Sequence, residues 1–144
     1  MFFLRFFYFL FFLNTLAANA FATSPEELLK KAQTLESNGF VEEATKSWEK
    51  LILVDTNRNL VIYSQLKLGM AYLKLKQLKK SIKILEGATL SYPDNFDAHF
   101  IFGNSLSSFK SFPEAIKSYQ QTTTLKPKEG LSHVALSLSL FGNG

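Results

Sequence analysis

The sequence predicts an all-α fold, an α-solenoid of antiparallel helix pairs with three repeats plus one additional helix, preceded by an N-terminal signal peptide. Three observations predict it. After residue 22, apolar residues recur at intervals of three and four, as they do on one face of a helix. Gly, Pro and polar residues interrupt these stripes, as in turns. The whole pattern returns about every 34 to 37 residues, a period typical of stacked repeats.

Composition narrows the class of protein. A chain of 144 residues has the length of one domain. Hydrophobic residues make up 47% and charged residues 19%, which excludes intrinsic disorder. The absence of cysteine excludes a disulfide scaffold, a cysteine-ligated metal and a cysteine nucleophile. The net charge of +4 is too small to indicate a nucleic-acid binder, and we predict none.

Residues 1–22 are typical of a secretory signal peptide. Arg5 is their only charged residue, the apolar run from Phe6 to Leu13 follows, and small residues including Ala20 and Ala22 come last. This apolar run is too short to span a bilayer, which needs about 20 residues. We therefore expect cleavage near residue 22 and a periplasmic protein. Secretion is one alternative, and a membrane anchor formed by an uncleaved segment is another.

The repeat domain covers residues 23–144. Its repeats are residues 25–58, 62–95 and 96–129, and residues 130–144 begin a fourth pattern. The first helix begins with an N-cap Ser24, with Pro25 in the first turn and Glu27 completing a capping box. The six apolar stripes that follow, in chain order, are Leu28, Ala32 and Leu35; Ala44, Trp48 and Leu51; Leu68, Tyr72 and Leu75; Ile82, Leu85 and Ala88; Phe102, Leu106 and Phe109; and Ile116 and Tyr119.

Small residues recur where paired helices must approach each other. Gly69 and Gly103 lie inside predicted helices at matching places in successive repeats. A glycine there costs about 1 kcal/mol relative to alanine, so we expect close backbone contact to offset the cost. Four further small residues recur at matching places, namely Ala32, Ala44, Ser81 and Ala115.

This pattern resembles the tetratricopeptide repeat family. The second repeat follows the family pattern most fully, through Leu68, Gly69, Tyr72, Ser81, Leu85, Ala88 and Pro93. The third follows it through Phe102, Gly103, Leu106, Ala115, Tyr119 and Pro127, and the first less fully through Ala32, Leu35, Ala44 and Trp48. Departures are Lys31, Leu51, Thr56 and Thr122, and His99 and His133 stand where the family often has Trp. The resemblance covers residues 25–144 and implies a right-handed superhelix whose first helices line a concave groove.

The resemblance implies that this groove binds an extended peptide or a partner helix. The predicted partner-binding residues are Tyr63, Leu66, Met70, Lys74, Phe100 and Asn104. They give the groove an apolar middle, with Asn104 able to bond a peptide backbone and Lys74 at the rim. The alternative is that Tyr63, Leu66, Met70 and Phe100 only pack neighbouring first helices together. The basic and Asn residues with which some relatives clamp a C-terminal carboxylate are missing apart from Asn104, so we do not predict chaperone-tail binding.

The predicted function is therefore a protein-interaction module or adaptor in the bacterial envelope, and not an enzyme. The sequence has no Gly-rich phosphate loop, His-Glu-x-x-His or Gly-x-Ser-x-Gly motif, so we expect no cofactor, metal or catalytic residue. We expect His99 and His133 to be buried or half-buried packing residues.

Two alternatives stay open: a truncated part of a larger envelope enzyme, and a self-associating structural protein. Self-association would use an apolar stripe near the C-terminus, formed by Leu131, Val134, Leu138 and Phe141. Five lysines cluster in the second repeat, where we expect a solvated face or a contact to an anionic surface: Lys74, Lys76, Lys79, Lys80 and Lys83.

Overall fold

The computed structural model describes residues 23–144, and this range contains seven helices and no strand. Three helix pairs follow one another and a seventh helix packs on the last pair. The all-α solenoid predicted from the sequence is thereby confirmed. The helices are α1 (Pro25–Ser37), α2 (Val41–Val54), α3 (Arg58–Lys74), α4 (Leu78–Ser91), α5 (Phe96–Ser108), α6 (Phe112–Leu125) and α7 (Gly130–Asn143). The predicted signal peptide lies outside the described residues.

Side chains cap the first helix of each repeat. The Ser24 hydroxyl accepts a hydrogen bond from the backbone N–H of Glu27 at 3.2 Å, which forms the predicted capping box. Asn57 caps α3 and Asn95 caps α5 in the same way. Because α3 begins at Arg58, residues 59–61, which the repeat alignment leaves between the first two repeats, form its first turn. These caps satisfy helical N–H groups that have no partner inside the helix.

The turn inside each repeat has one residue in the left-handed region. These residues are Gly39, Lys76 and Lys110, with φ of 83°, 58° and 65°. They occupy equivalent repeat positions, so the same turn is built three times. Glycine adopts this conformation without steric cost, whereas the two lysines hold it against their Cβ atoms.

Close helix approach explains the glycines at positions 69 and 103 inside α3 and α5. A Cβ atom on Gly69 would lie 2.6 Å from Leu85 Cγ, and one on Gly103 would lie 2.6 Å from Tyr119 Cε1. Both distances are far shorter than van der Waals contact. Within the second and third pairs, a side chain of the second helix therefore rests directly on the glycine backbone of the first.

The buried clusters cross from one repeat to the next. Trp48 and Leu51 of α2 pack in one cluster with Leu68 and Tyr72 of α3. A polar contact also crosses a repeat boundary, because the buried Ser81 hydroxyl of the second repeat lies 2.7 Å from Ser105 Oγ of the third. Within its own repeat, the Ser81 hydroxyl donates to the Gly69 carbonyl at 2.8 Å. Each repeat thus completes its core with its neighbour, as in other repeat proteins.

Two rows of helices result from this stacking. The first helices form an inner row in which α5 packs against both α3 and α7. The second helices, α2, α4 and α6, form the outer side, and within residues 23–144 none of them packs against another. No helix in the described range is long and apolar enough to cross a membrane.

Candidate partner-binding groove

The predicted groove residues lie on the inner row. Tyr63, Leu66 and Met70 follow one another on α3 at spacings of three and four residues, so they share one face of that helix. Phe100 and Asn104 occupy on α5 the repeat positions that Leu66 and Met70 occupy on α3. Because α3 and α5 pack together, the two faces are neighbours. Lys74 ends α3 and is exposed.

Tyr63 is the most accessible of the aromatic groove residues. Its side chain is 38% exposed and meets the buried Trp48 ring edge-on, with 5.8 Å between ring centroids. Lys67 Nζ lies 5.8 Å from the centre of the Tyr63 ring and pairs with Glu36 of α1 at 3.2 Å. Lys67 is not among the predicted groove residues. Its position four residues after Tyr63 is the one signal that could have found it.

Leu66 and Phe100 are half-buried and take part in packing between helices. Leu66 packs against a buried cluster that joins α3, α4 and α5. Phe100 stacks on Phe96 with ring centroids 5.8 Å apart and meets Tyr119 edge-on at 6.0 Å. For these two residues the packing role is present, and each also leaves part of its side chain accessible.

Asn104 is held in place by a hydrogen bond that the sequence did not indicate. Its side-chain oxygen accepts from the Tyr119 hydroxyl at 2.7 Å. Burial raises the pKa of Tyr119 to about 12, so this hydroxyl stays protonated and donates at neutral pH. The Asn104 amide nitrogen remains as the group that can donate to a backbone carbonyl of a partner.

The apolar stripe of α7 continues the groove. Leu131, Val134, Leu138 and Phe141 are 66%, 56%, 67% and 89% exposed. They repeat the places of Asp97, Phe100, Asn104 and Ser107 on α5, and those of Tyr63, Leu66, Met70 and Leu73 on α3. The opposite face of α7, with the buried Ser132 and Ser139, is turned towards the third repeat. The stripe predicted for self-association therefore also occupies the groove positions of the last helix in the inner row.

The two histidines occupy equivalent places outside this groove. His99 Nε2 lies 2.8 Å from the Pro93 carbonyl, and His133 Nε2 lies 2.8 Å from the Pro127 carbonyl. The expectation that both are at least half-buried is correct for His99 but wrong for His133, which is exposed because no helix within residues 23–144 packs over that part of α7. Among residues 23–144 no three His, Asp or Glu residues cluster as metal ligands would.

The repeat pattern and the paired helices together give the chain a fold of the tetratricopeptide-repeat type. Residues 62–95 match the family model described as tetratricopeptide repeat, so the recognition made from the sequence is confirmed. No curated protein matches the chain significantly.

Solved structures of the protein MamA share the fold. MamA from residue 41 onwards from Desulfovibrio magneticus RS-1 is 22% identical, with a TM-score of 0.74 over 83% of this chain and 66% of that chain. Another MamA structure is 24% identical, with a TM-score of 0.77 over 90% and 74%. MamA MSR-1 is 27% identical, with a TM-score of 0.71 over 86% and 68%. The repeat match and these structures agree on a fold of stacked helix pairs, a type that offers extended concave surfaces.

Proposed function

We propose that the chain is an adaptor that binds a peptide or a partner helix in the groove of its first helices. The observation that carries this proposal is the register of the α7 stripe. Leu131, Val134 and Leu138 repeat the places of Tyr63, Leu66 and Met70. The same places are thus apolar on α3 and α7, while α5 between them presents Phe100 beside the polar Asp97 and Asn104.

The chemistry of the groove indicates the kind of partner. An amphipathic helix buries apolar anchors at spacings of three and four residues, and the α7 stripe offers a complementary apolar face. Each leucine-sized anchor that becomes buried contributes about 1.5–3 kcal/mol. Asn104 and Lys74 add polar contacts at the side of this surface. The partner we propose is an apolar or amphipathic segment that brings an acidic side chain to Lys74 or an accessible backbone carbonyl to Asn104.

A pair of leucine substitutions tests the proposal. Leu138 on the inner row is 67% exposed and Leu90 on the outer side is 78% exposed, so Asp at either place leaves the core intact. We expect Leu138→Asp to weaken partner capture in cell crosslinking by about tenfold or more, because it buries a charge against apolar anchors. Leu90→Asp should capture the same partner as the wild type. Equal capture of the partner by both variants would contradict binding in the groove.

Tyr63→Ala and Phe100→Ala address the groove residues predicted from sequence. Phe100 packs on Phe96 and Tyr119, so its removal also affects stability. Tyr63→Ala is therefore the cleaner variant, and its helical circular dichroism should be recorded beside its binding. A partner lost from a helical Tyr63→Ala protein supports the groove, whereas unchanged binding counts against Tyr63.

We also propose that the adaptor acts in the bacterial periplasm after cleavage of its signal peptide near residue 22. The support is the order of Arg5, the apolar run and the small residues before Thr23. Fusing residues 1–24 to alkaline phosphatase, which is active only after export, tests this directly. We expect an active fusion and a mature N-terminus at Phe21 or Thr23. An inactive fusion, or a protein that keeps Met1, would refute cleaved export.

Self-association is the second candidate, because the α7 stripe is exposed enough to pair with another copy. Sedimentation of the wild type and of Leu138→Asp distinguishes the two. A monomer at high concentration removes self-association and leaves the adaptor. A wild-type dimer that the Leu138→Asp substitution dissociates supports self-association through the α7 stripe.

A further inference from the structure

A cleft on the outer side has the form of a small-ligand site. It lies between α2 and α4 and has a volume of about 460 Å³. The buried Leu68 and Tyr72 of α3 form its floor, and Ile52 and Ile84 are on its two walls. Small-molecule sites are typically clefts of about 300–1,000 Å³ with mostly apolar linings and a few polar groups. We name this feature the outer cleft.

The rim of the outer cleft carries positive charge on its α4 side. Lys80 and Lys83 both line it and are one helical turn apart. Lys80 Nζ lies 5.3 Å from the centre of the Tyr72 ring, so the ammonium group stands above the floor. Within residues 23–144 the one ion pair joins Lys67 and Glu36, so neither rim lysine is paired with a carboxylate in this part of the chain.

The opposite rim holds a carboxylate that is already bonded. Glu49 of α2 accepts a hydrogen bond from the Tyr72 hydroxyl. Burial, together with Glu49, raises the pKa of Tyr72 to about 12, so this hydroxyl remains a donor. The floor therefore presents the apolar face of Tyr72 instead of an unsatisfied polar group. The arrangement favours an anion at the lysine rim and an apolar tail across the floor.

The next repeat junction provides an internal comparison. An equivalent cleft of about 580 Å³ lies between α4 and α6. There, one repeat further along, Glu114 stands in the place of Lys80 and Ser118 in the place of Ile84, while Lys117 corresponds to Lys83. Stacking of repeats thus produces a cleft at both junctions, but of these two only the outer cleft has a rim with two lysines.

We propose that the outer cleft binds a free long-chain carboxylate, with the acyl chain on Leu68, Tyr72 and Ile84 and the carboxylate group at Lys80 and Lys83. Burial of the chain supplies the affinity, because each CH₂ group that leaves water adds to binding. The two ammonium groups select the anion through charge-assisted contacts. This site is on the side opposite the groove, so the test of carboxylate binding is independent of the test of the adaptor function.

The position of Trp48 gives a direct readout. Trp48 is the only tryptophan of the chain and belongs to the buried cluster that contains Leu68 and Tyr72. Dodecanoate is the probe, titrated below its micelle concentration into the purified protein. Dodecyltrimethylammonium and acetate serve as comparisons for charge and for chain. We expect a saturable change in Trp48 fluorescence with dodecanoate, binding of the cation weaker by about tenfold or more, and no change with acetate.

Substitutions copied from the second cleft test the residues. The double variant Lys80→Glu, Ile84→Ser gives the outer cleft the side chains that Glu114 and Ser118 provide in the cleft between α4 and α6. The same fold therefore tolerates these side chains. We expect this variant to bind dodecanoate about tenfold or more weakly. Lys83→Glu alone, at an exposed position, should also weaken binding, whereas the control Lys117→Glu in the second cleft should leave it unchanged. Calorimetry should report the same ranking as fluorescence.

Three outcomes would overturn the proposal. The first is the absence of saturable dodecanoate binding by both fluorescence and calorimetry. The second is equal affinity in wild type and in the folded Lys83→Glu variant. The third is binding to vesicles of anionic phospholipid without binding of dodecanoate, which would make the lysines a membrane-facing surface instead of a ligand site.

Discussion

Side-chain size at single positions controls how closely the paired helices approach. Gly69 and Gly103 accept Leu85 and Tyr119 against their backbones, and no larger residue fits without a shift. Gly87 has the opposite environment, because a Cβ atom there would meet nothing within 4 Å. Close packing therefore requires glycine at Gly69 and Gly103, whereas the space around Gly87 does not require it.

Alanine at two of these glycines should change stability in opposite directions. Gly69→Ala places a methyl group against Leu85, and such overpacking costs about 1–3 kcal/mol. Gly87→Ala in α4 should stabilise by about 0.5–1 kcal/mol, because alanine loses less backbone entropy in a helix. Urea unfolding followed by circular dichroism measures both. A Gly69→Ala protein as stable as wild type would contradict the close approach.

The Tyr119 hydroxyl couples stability to alkaline pH. Its pKa is 10.0 when unperturbed and about 12 in the folded chain. Between these values only the unfolded chain ionises, so the free energy of unfolding falls as the pH rises through this window. Tyr119→Phe removes this contribution, and it also removes the hydrogen bond to Asn104, which costs about 1 kcal/mol at neutral pH.

Unfolding of wild type and Tyr119→Phe near pH 8 and about pH 11 tests this linkage. The loss of stability between the two conditions should be smaller in the variant. Identical losses would mean that Tyr119 ionises equally in both states. The Asn104 side of the contact shows a limit of sequence reasoning, since the residue type was predicted for the groove but its partner lies 15 residues away on another helix.

At the scale of single helices, side-chain caps mark the first helix of each of the three repeats. Ser24, Asn57 and Asn95 cap the first helices with their side chains, whereas the N-cap positions of α2, α4 and α6 make no side-chain cap hydrogen bond. A tight left-handed turn joins the helices within each repeat and fixes where the second helix begins. The connections that precede α3 and α5 lack that turn, and a side-chain cap takes its place. Glu129, before α7, makes no side-chain cap hydrogen bond.

Removal of one cap should therefore cost measurable stability. The Asn95 side-chain oxygen accepts from the Ala98 N–H at 2.9 Å, and Asn95→Ala should destabilise by about 1 kcal/mol. Asn59→Ala is the matched control, because Asn59 is exposed in the first turn of α3 and caps nothing. The difference between the two urea midpoints gives the value of the cap. No difference would show that water replaces the Asn95 bond without loss.

At the scale of the whole molecule, the period of the sequence predicted the architecture. Apolar residues at matching places in successive repeats led to paired helices, and Gly69 and Gly103 led to their close approach. The groove was predicted only in part. The sequence predicts the α7 stripe as a self-association surface. The packing of α5 on both α3 and α7 adds that this stripe lies in register with Tyr63, Leu66 and Met70.

The outer cleft could not have been predicted from the sequence. It depends on the distance between α2 and α4, which do not pack against each other, and no repeat pattern reports that distance. The pairing of Lys67 with Glu36 was missed for a similar reason, since it joins separate helices 31 residues apart. Periodicity describes faces of helices well, whereas contacts across a junction depend on how the pairs are stacked.

The central claim is that partners bind along the inner row. Site-specific photo-crosslinking tests it most directly, with the crosslinking residue placed at Met70 or Leu138 on the inner row and at Leu90 on the outer side. We predict that one partner is captured from Met70 and from Leu138, and that Leu90 captures none of it. Capture of that partner from Leu90 alone would contradict the groove and move the binding surface to the second helices.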